Sequence, residues 1–116
     1  MKKIYHLSSC DTNKRILKEL NLSDEFIKQD IKINPMTENE LDELYLFTKS
    51  YESLINKRAR MYSQRDLKNK NLQESDFKTL LLEHYTFLKR PVLINEGEIF
   101  IGNSKNVVAS AKESLK

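Results

Sequence analysis

The only cysteine of the chain, Cys10, lies four residues after a histidine and just before a run of polar and basic residues. It belongs to the segment IYHLSSCDTNKRIL. A thiol in this setting can act as a nucleophile once it is ionised, attacking an oxyanion, a disulfide or an electrophilic sulfur. His6, Lys14 and Arg15 are the nearby side chains that could support the negative charge of the thiolate.

Two secondary-structure elements are expected to position this thiol. Residues 2–7 form a short apolar stretch typical of a strand. The apolar residues between positions 11 and 21 recur at helical spacing, which predicts a helix, and Asp11 and Thr12 are expected to cap it. Because a helix N-terminus presents free N–H groups and about half a positive charge, it favours the charged form of a thiol placed there.

The residues leave two alternatives open for Cys10. Free cysteine is often a small buried apolar residue, and Cys10 could be one. A dithiol redox motif would have its second cysteine at position 13, where this chain has Asn13. An oxidised Cys10 would therefore have to be resolved by another molecule, either a small thiol such as glutathione or a cysteine of a partner protein.

Two further groups of residues could bind an anion. Arg90 precedes Pro91 at the start of an apolar run, where a proline can be cis and the planar arginine side chain can point toward an oxyanion. The segment NKRARMY contains Lys57, Arg58 and Arg60. It could form an anion clamp or a weak nucleic-acid patch. Solvated charges and an ordinary edge-strand proline are the simpler interpretations of these two segments.

The composition is typical of a small globular protein. Hydrophobic residues make up 39% and charged residues 32% of the 116 residues, which argues against global disorder. No apolar run approaches the roughly 20 residues of a membrane span, and no signal peptide is recognisable. One cysteine agrees with a reducing compartment. We therefore expect a cytoplasmic protein with no bound metal or cofactor. The net charge of +3 does not indicate direct nucleic-acid binding.

The rest of the chain predicts one more strand, several helices and a hairpin. EFIKQDIKI is expected to be a strand, and Thr37 with Glu40 forms a capping box at the start of a helix. A short helix capped by Ser50 follows, then an irregular segment over residues 57–71, then a strong helix candidate in QESDFKTLLLEHYTFL. RPVLINEGEIFIGN predicts strands 92–95 and 98–101, and Ser104 caps a final helix.

The order of these elements indicates the fold class. The first strand, helix and strand form a βαβ unit with two parallel strands, and the later hairpin adds antiparallel strands to the same sheet. We predict an α/β protein with a thioredoxin-like, mixed four-stranded sheet (βαβ then ββα). Residues 1–116 would form a single domain with a helical insertion at about residues 37–88.

Two motifs resemble the arsenate reductase family of the glutathione-coupled type (ArsC), which also includes the Spx-type regulators. IYHLSSC is similar to the family's opening, an Ile-Tyr-His run followed by the nucleophilic cysteine. FLKRPVLINEGEIFIG is similar to its Lys-Arg-Pro triplet leading into a hairpin. The two motifs occur in the family's order and at about its spacing, and the resemblance covers nearly the whole chain.

The resemblance implies roles for seven residues. Cys10 would be the nucleophile, and His6 would help to keep it ionised. The other five would bind the substrate: Thr12, Lys14, Arg58, Arg90 and a cis Pro91. The alignment around Arg58 could shift to Asn56 or Arg60.

The resemblance also implies a function, with two departures from the family pattern. Asn13 replaces the second cysteine of the dithiol members. The segment GEIFIGNSKN offers only Lys105 where arsenate reductases have an arginine after the hairpin glycine. The expected protein is a glutathione-dependent monothiol reductase acting on a small oxyanion or thiol substrate, with glutathione as co-substrate and glutathione or glutaredoxin as resolving partner. The alternatives are an Spx-type regulator that binds RNA polymerase without turnover and a family member with neither activity.

Overall fold

The computed structural model describes all residues, 1–116. Nine helices and strands form in the order β1 (Lys2–His6), α1 (Asp11–Leu20), β2 (Ile27–Asp30), α2 (Glu38–Thr48), α3 (Arg60–Gln64), α4 (Glu74–Glu83), β3 (Val92–Asn95), β4 (Glu98–Ile101) and α5 (Lys105–Ser114). Single 3₁₀ turns lie at Glu52–Leu54, Leu67–Asn69 and Tyr85–Phe87. Every helix is too short or too polar to cross a membrane.

The chain divides into two compact units. The sheet unit consists of Met1–Asn34 and Arg90–Lys116 and contains all four strands with α1 and α5. The helical unit is Pro35–Lys89 and contains α2, α3 and α4. Its limits lie close to the segment for which the sequence predicts a helical insertion.

The four strands form one mixed sheet in the order β2-β1-β3-β4. β1 and β2 are parallel, β3 is antiparallel to β1, and β4 is antiparallel to β3. The predicted thioredoxin-like sheet is therefore confirmed. The register places the end of β1 beside the end of β2, the start of β3 and, across β3, the end of β4. We call this side of the sheet the thiol edge, marked by His6, Asp30, Val92 and Ile101.

One face of the sheet is covered by α1 and α5. Their inner residues pack with those of the strands in one apolar cluster: Ile4, Ile16, Leu20, Phe26, Leu93, Val108 and Ala111. The carboxylate of Glu19 on α1 lies 3.5 Å from the ammonium of Lys112 on α5. Both helices begin at the thiol edge, because each follows a strand that ends there.

Local sequence chemistry sets the predicted hairpin and the last helix. β3 and β4 pair around a turn at residues 96 and 97, as predicted, and Glu96 takes the left-handed conformation with φ 56° that such turns require. The hydroxyl of Ser104 accepts a hydrogen bond from the N–H of Val107 at 3.2 Å and caps α5.

Two interactions organise the helical unit. The hydroxyl of Thr37 accepts from the N–H of Glu40 at 3.1 Å while the Glu40 carboxylate accepts from the N–H of Thr37 at 3.0 Å, so the predicted capping box is confirmed. Lys78 on α4 lies 2.9 Å from Glu38 and 3.0 Å from Asp42 on α2. Hydrogen bonds to these two carboxylates raise the pKa of the Lys78 ammonium.

Two secondary-structure predictions in the helical unit are wrong. Residues 57–71 are not irregular, because α3 and the turn Leu67–Asn69 form there around the buried Tyr62 and Leu67. The helix expected to include Tyr85 ends earlier, at Glu83. His84 takes an extended backbone, and its ring nitrogen Nδ1 accepts a hydrogen bond from the N–H of Thr86 at 3.0 Å, which starts a separate turn.

The short helix expected after Ser50 is a 3₁₀ turn whose N-cap residue is Tyr51. Ser50 still supports this turn, because its hydroxyl accepts a hydrogen bond from the N–H of Ser53 at 3.1 Å.

Candidate active site

A tight loop joins β1 to α1 and presents Cys10. The N–H of Cys10 donates to the carbonyl of Leu7 at 3.0 Å, and the Cys10 carbonyl accepts the first helical hydrogen bond, from Lys14, at 3.0 Å. Cys10 is therefore the N-cap residue of α1. The prediction that Asp11 and Thr12 cap this helix is wrong, since they are its first two residues.

The side chain of Cys10 is partly exposed. It is a free thiol and makes no capping hydrogen bond to the helix that it precedes. Cys10 is absent from the buried residues of the chain, so it is not a core cysteine. The N–H groups of the first turn of α1 have no partner within the helix and point toward this end. A negative charge on the sulfur lies in the favourable field of the helix dipole.

Asn13, in the first turn of α1, forms a hydrogen bond with the start of this loop. Its side chain is 0% exposed, and its Oδ1 accepts a hydrogen bond from the backbone N–H of Leu7 at 3.0 Å. The sequence interpretation treated Asn13 only as a missing cysteine and missed this contact. Its spacing was the available signal, because positions 13, 16 and 20 share one face of a helix and Ile16 and Leu20 are core residues.

Asp30 fixes the other side of the loop. Its Oδ1 accepts backbone hydrogen bonds from Ser8 at 3.3 Å and Lys32 at 3.1 Å. A hydrogen bond from the Ser8 side chain, followed by these backbone bonds, lowers the pKa of the Asp30 carboxyl. Asp30 is thus a carboxylate at the thiol edge, and sequence reasoning missed it because its partner Ser8 belongs to the loop after β1, 22 residues earlier in the chain.

His6 ends β1 opposite Asp30 in the parallel pair. Burial lowers the pKa of His6, and this effect exceeds the opposing attraction of the Asp30 carboxylate. This direction favours the neutral imidazole, so of the two ways in which His6 could support the thiolate, the lowered pKa favours hydrogen bonding over positive charge.

Arg90 and Pro91 stand at the start of β3. The peptide bond between them is cis, as the sequence resemblance implied. Because Tyr5 pairs with Val92, this dipeptide lies at the thiol edge together with the loop that carries Cys10. The carbonyl of Pro91 accepts a hydrogen bond from the N–H of Gly102 at 2.9 Å, which ties the start of β3 to the segment leading into α5.

The other residues expected to bind substrate differ in their surroundings. Thr12 is half-buried in the first turn of α1. Lys14 is exposed, and its ammonium lies 3.9 Å from the carboxylate of Asp11, so part of its charge is compensated. Arg58 belongs to the helical unit, where its side chain is exposed and its backbone N–H donates to the Oδ1 of Asn56 at 3.1 Å.

Six of the seven residues expected at the site lie in the sheet unit: His6, Cys10, Thr12, Lys14, Arg90 and Pro91. Four of them lie at the thiol edge: His6 at the end of β1, Cys10 at the start of α1, and Arg90 and Pro91 before β3. This arrangement combines a partly exposed thiol with oriented N–H groups and an arginine, which are the elements that thiol chemistry on an anionic or sulfur-containing substrate requires.

The mixed sheet and the thiol at a helix start define a thioredoxin-like protein with a candidate redox site. The model of the ArsC family matches residues 5–111, and the chain therefore belongs to the ArsC family.

Three relatives illustrate the similarity. An uncharacterized protein of Haemophilus influenzae is 30% identical over 113 residues, which cover 92% of this chain and 96% of that protein. The global transcriptional regulator Spx 2 of Bacillus cereus is 28% identical over 96 residues, which cover 82% of this chain and 72% of that protein. The solved structure of an arsenate reductase from Vibrio cholerae superposes with a TM-score of 0.74 at 20% identity, covering 95% of this chain and 96% of that chain.

Proposed function

We propose that the protein is a monothiol oxidoreductase in which the thiolate of Cys10 attacks an oxyanion or disulfide-type substrate. The observation that carries this proposal is the placement of a partly exposed Cys10 at the start of α1, on the same edge of the sheet as Arg90 and the cis Pro91. Membership of the ArsC family supports the same chemistry.

The reaction with a disulfide proceeds by thiol exchange. The Cys10 sulfur bonds to one substrate sulfur, the disulfide bond breaks, and its electron pair leaves with the second sulfur as a thiolate. A mixed disulfide remains on the protein. Because position 13 is Asn13, no neighbouring thiol can attack this bond. Glutathione or glutaredoxin would supply the resolving thiolate and release Cys10.

The reaction with an oxyanion needs two external thiols besides Cys10. The Cys10 sulfur bonds to the central atom, and one oxygen leaves as water after protonation. An external glutathione thiolate then attacks the Cys10 sulfur, and the electron pair of the broken bond stays on the central atom, which is reduced by two electrons. A second glutathione reduces the resulting mixed disulfide. Arg90 would hold the oxyanion through its paired N–H groups.

A coupled assay tests this proposal. NADPH consumption is followed with glutathione, glutathione reductase and glutaredoxin, using arsenate and a small disulfide as separate substrates. The wild type is expected to turn over at least one of them, and Cys10→Ser is expected to fall to the uncatalysed rate. A matched control is the double variant Ser9→Cys with Cys10→Ser, which keeps one thiol but moves it off the helix start. Equal rates for all three proteins would refute the proposal.

The similarity to Spx 2 of Bacillus cereus favours a second candidate function, regulation through binding to RNA polymerase without turnover. Purified RNA polymerase is passed over the immobilised protein and over its Cys10→Ser variant. Retention of polymerase by both proteins, together with no thiol-dependent turnover in the coupled assay, would select the regulator. Turnover without retention would select the oxidoreductase.

A further inference from the structure

The amide group of Asn13 is only half used in the resting structure. Its Oδ1 accepts the hydrogen bond from Leu7, whereas its Nδ2 is buried and has no hydrogen-bond partner. This orientation is not arbitrary, because the backbone N–H of Leu7 can only donate and so must face the amide oxygen. Buried donors without a partner are rare in native proteins, and each one requires an explanation.

The free Nδ2 group lies under the loop that carries Cys10. Side chains of an α-helix tilt toward its N-terminus, so Asn13, at the third position of α1, reaches back beneath the first turn. Its amide is bonded to Leu7 at one end of this loop, and the Leu7 carbonyl accepts the N–H of Cys10 at the other end. The amide group therefore lies against the start of the turn that runs from Leu7 to Cys10.

A second buried polar atom points to the same place. The Nδ1 of His6 is buried and without a hydrogen-bond partner. His6 shares a face of β1 with Ile4, and Asn13 shares a face of α1 with Ile16. Because Ile4 and Ile16 pack in one cluster, His6 and Asn13 flank the space under the loop from the sheet side and the helix side.

We propose that Asn13 is a positioning residue for Cys10: its Oδ1 fixes the loop, and its Nδ2 donates a hydrogen bond to the sulfur when Cys10 is a thiolate. A hydrogen bond to the charged form stabilises that form. Asn13 occupies the position of the second thiol in a dithiol motif, and its amide cannot form a disulfide. The stabilised thiolate of Cys10 therefore stays available to an external partner. This inference rests on the proposed function.

The Asn13→Asp variant separates the two parts of the amide. The carboxylate can still accept from Leu7, but it cannot donate to the sulfur and it adds a negative charge. We expect the pH at half-maximal iodoacetamide alkylation to rise by about one unit, which lowers the alkylation rate at pH 7 by about tenfold. The matched control is Asn21→Asp, the same substitution at the exposed far end of α1, about 12 Å along the helix from Asn13. It is expected to leave the alkylation profile unchanged.

A spectroscopic measurement tests the inference without substituting Asn13. The side-chain ¹H–¹⁵N resonances of Asn13 should shift with the ionisation of Cys10, and the same shift should be absent in Cys10→Ser. Asn13 resonances that ignore this ionisation in the wild type, or a folded Asn13→Asp variant with the wild-type alkylation profile, would overturn the inference. A wild-type thiol that ionises like an ordinary cysteine, near pH 8.5, would instead refute the proposed function.

Discussion

His6 and Asp30 are direct partners in the parallel pairing of β1 and β2, so a partly buried imidazole and a carboxylate end neighbouring strands at the thiol edge. The carboxylate attracts a proton to His6, yet burial has the larger effect and lowers its pKa. Because the pKa of His6 is lowered in the folded state, the free energy of unfolding depends on pH.

The free energy of unfolding should fall as the pH drops below about 6.5, the ordinary pKa of histidine. Because the folded-state pKa of His6 lies below the unfolded-state value, the unfolded chain binds a proton first and is favoured as the pH falls through this range. Urea unfolding at pH 7.5 and pH 5.5 measures the difference. His6→Gln should show a smaller decrease, and since His84 is present in both proteins, the comparison isolates His6. An equal decrease in the two proteins would contradict the prediction.

Iodoacetamide should alkylate Cys10 faster at neutral pH than it alkylates a thiol placed outside the helix start. The helix N-terminus stabilises a nearby anion by about 0.3–2 kcal/mol, which favours the reactive thiolate form. The rate is measured from pH 5 to pH 10 by mass spectrometry. The reference is the double variant Ser9→Cys with Cys10→Ser, whose thiol lies outside the helix start. Coincident profiles for the two thiols would show that the helix contributes nothing.

Asn13→Cys should convert the site into a dithiol. Residues three apart on a helix have Cβ atoms about 5–6 Å apart, close enough for a disulfide after a small adjustment. The oxidised variant is expected to contain no free thiol by Ellman titration, and its reduction should no longer need glutathione to attack a mixed disulfide. Asn13→Ser is the control, because it changes the same site without adding a thiol. A variant that retains both thiols after mild oxidation would rule out closure.

Arg90→Lys should raise the KM for an oxyanion and leave the KM for a neutral disulfide unchanged. A lysine keeps the charge but loses the paired N–H groups that match an oxyanion. We expect the KM for the oxyanion to rise about tenfold, which corresponds to about 1.4 kcal/mol. Arg65→Lys in the helical unit, where Arg65 forms an ion pair with Glu83, serves as the control. An equal increase in the KM for both substrates would indicate a structural effect of Arg90 and no role in binding the oxyanion.

Ile16→Ala should lower the free energy of unfolding by about 2–5 kcal/mol, because Ile16 is 1% exposed within the apolar cluster of the sheet unit. Ile27→Ala removes the same atoms from a side chain that is 60% exposed and should cost less than about 0.5 kcal/mol. Urea denaturation of both variants gives the two values. Similar losses would mean that burial does not determine the contribution of these side chains.

The parts of the fold that the sequence predicted are those with local causes. Thr37 and Ser104 cap helices through atoms within three residues, and the turn at residues 96 and 97 follows from the chemistry of its own residues. The sheet order then follows from the order of these elements. α3 was missed because a five-residue helix has too few turns to show a period, and its stability depends on the burial of Tyr62.

The candidate site was predicted less completely, because its supporting contacts join distant segments. Cys10 and the cis Pro91 could be found from motifs. The hydrogen bond between Asp30 and the loop at Ser8, however, depends on the pairing of two strands. The lowered pKa of His6 depends on burial, which a sequence pattern does not give. Asn13 was visible as a polar residue at a core position, although no local pattern shows that its oxygen binds Leu7.

The two inner strands of the sheet are far apart in the sequence: β1 is the first strand to be synthesised, whereas its antiparallel neighbour β3 begins only at Val92. A nascent chain that has not yet reached this residue leaves one side of β1 without its neighbour and keeps Cys10 apart from Arg90. Pairings between such distant segments form slowly. The thiol edge is therefore complete only after β3 and β4 have been synthesised, and a product truncated before Arg90 would carry the cysteine without the arginine.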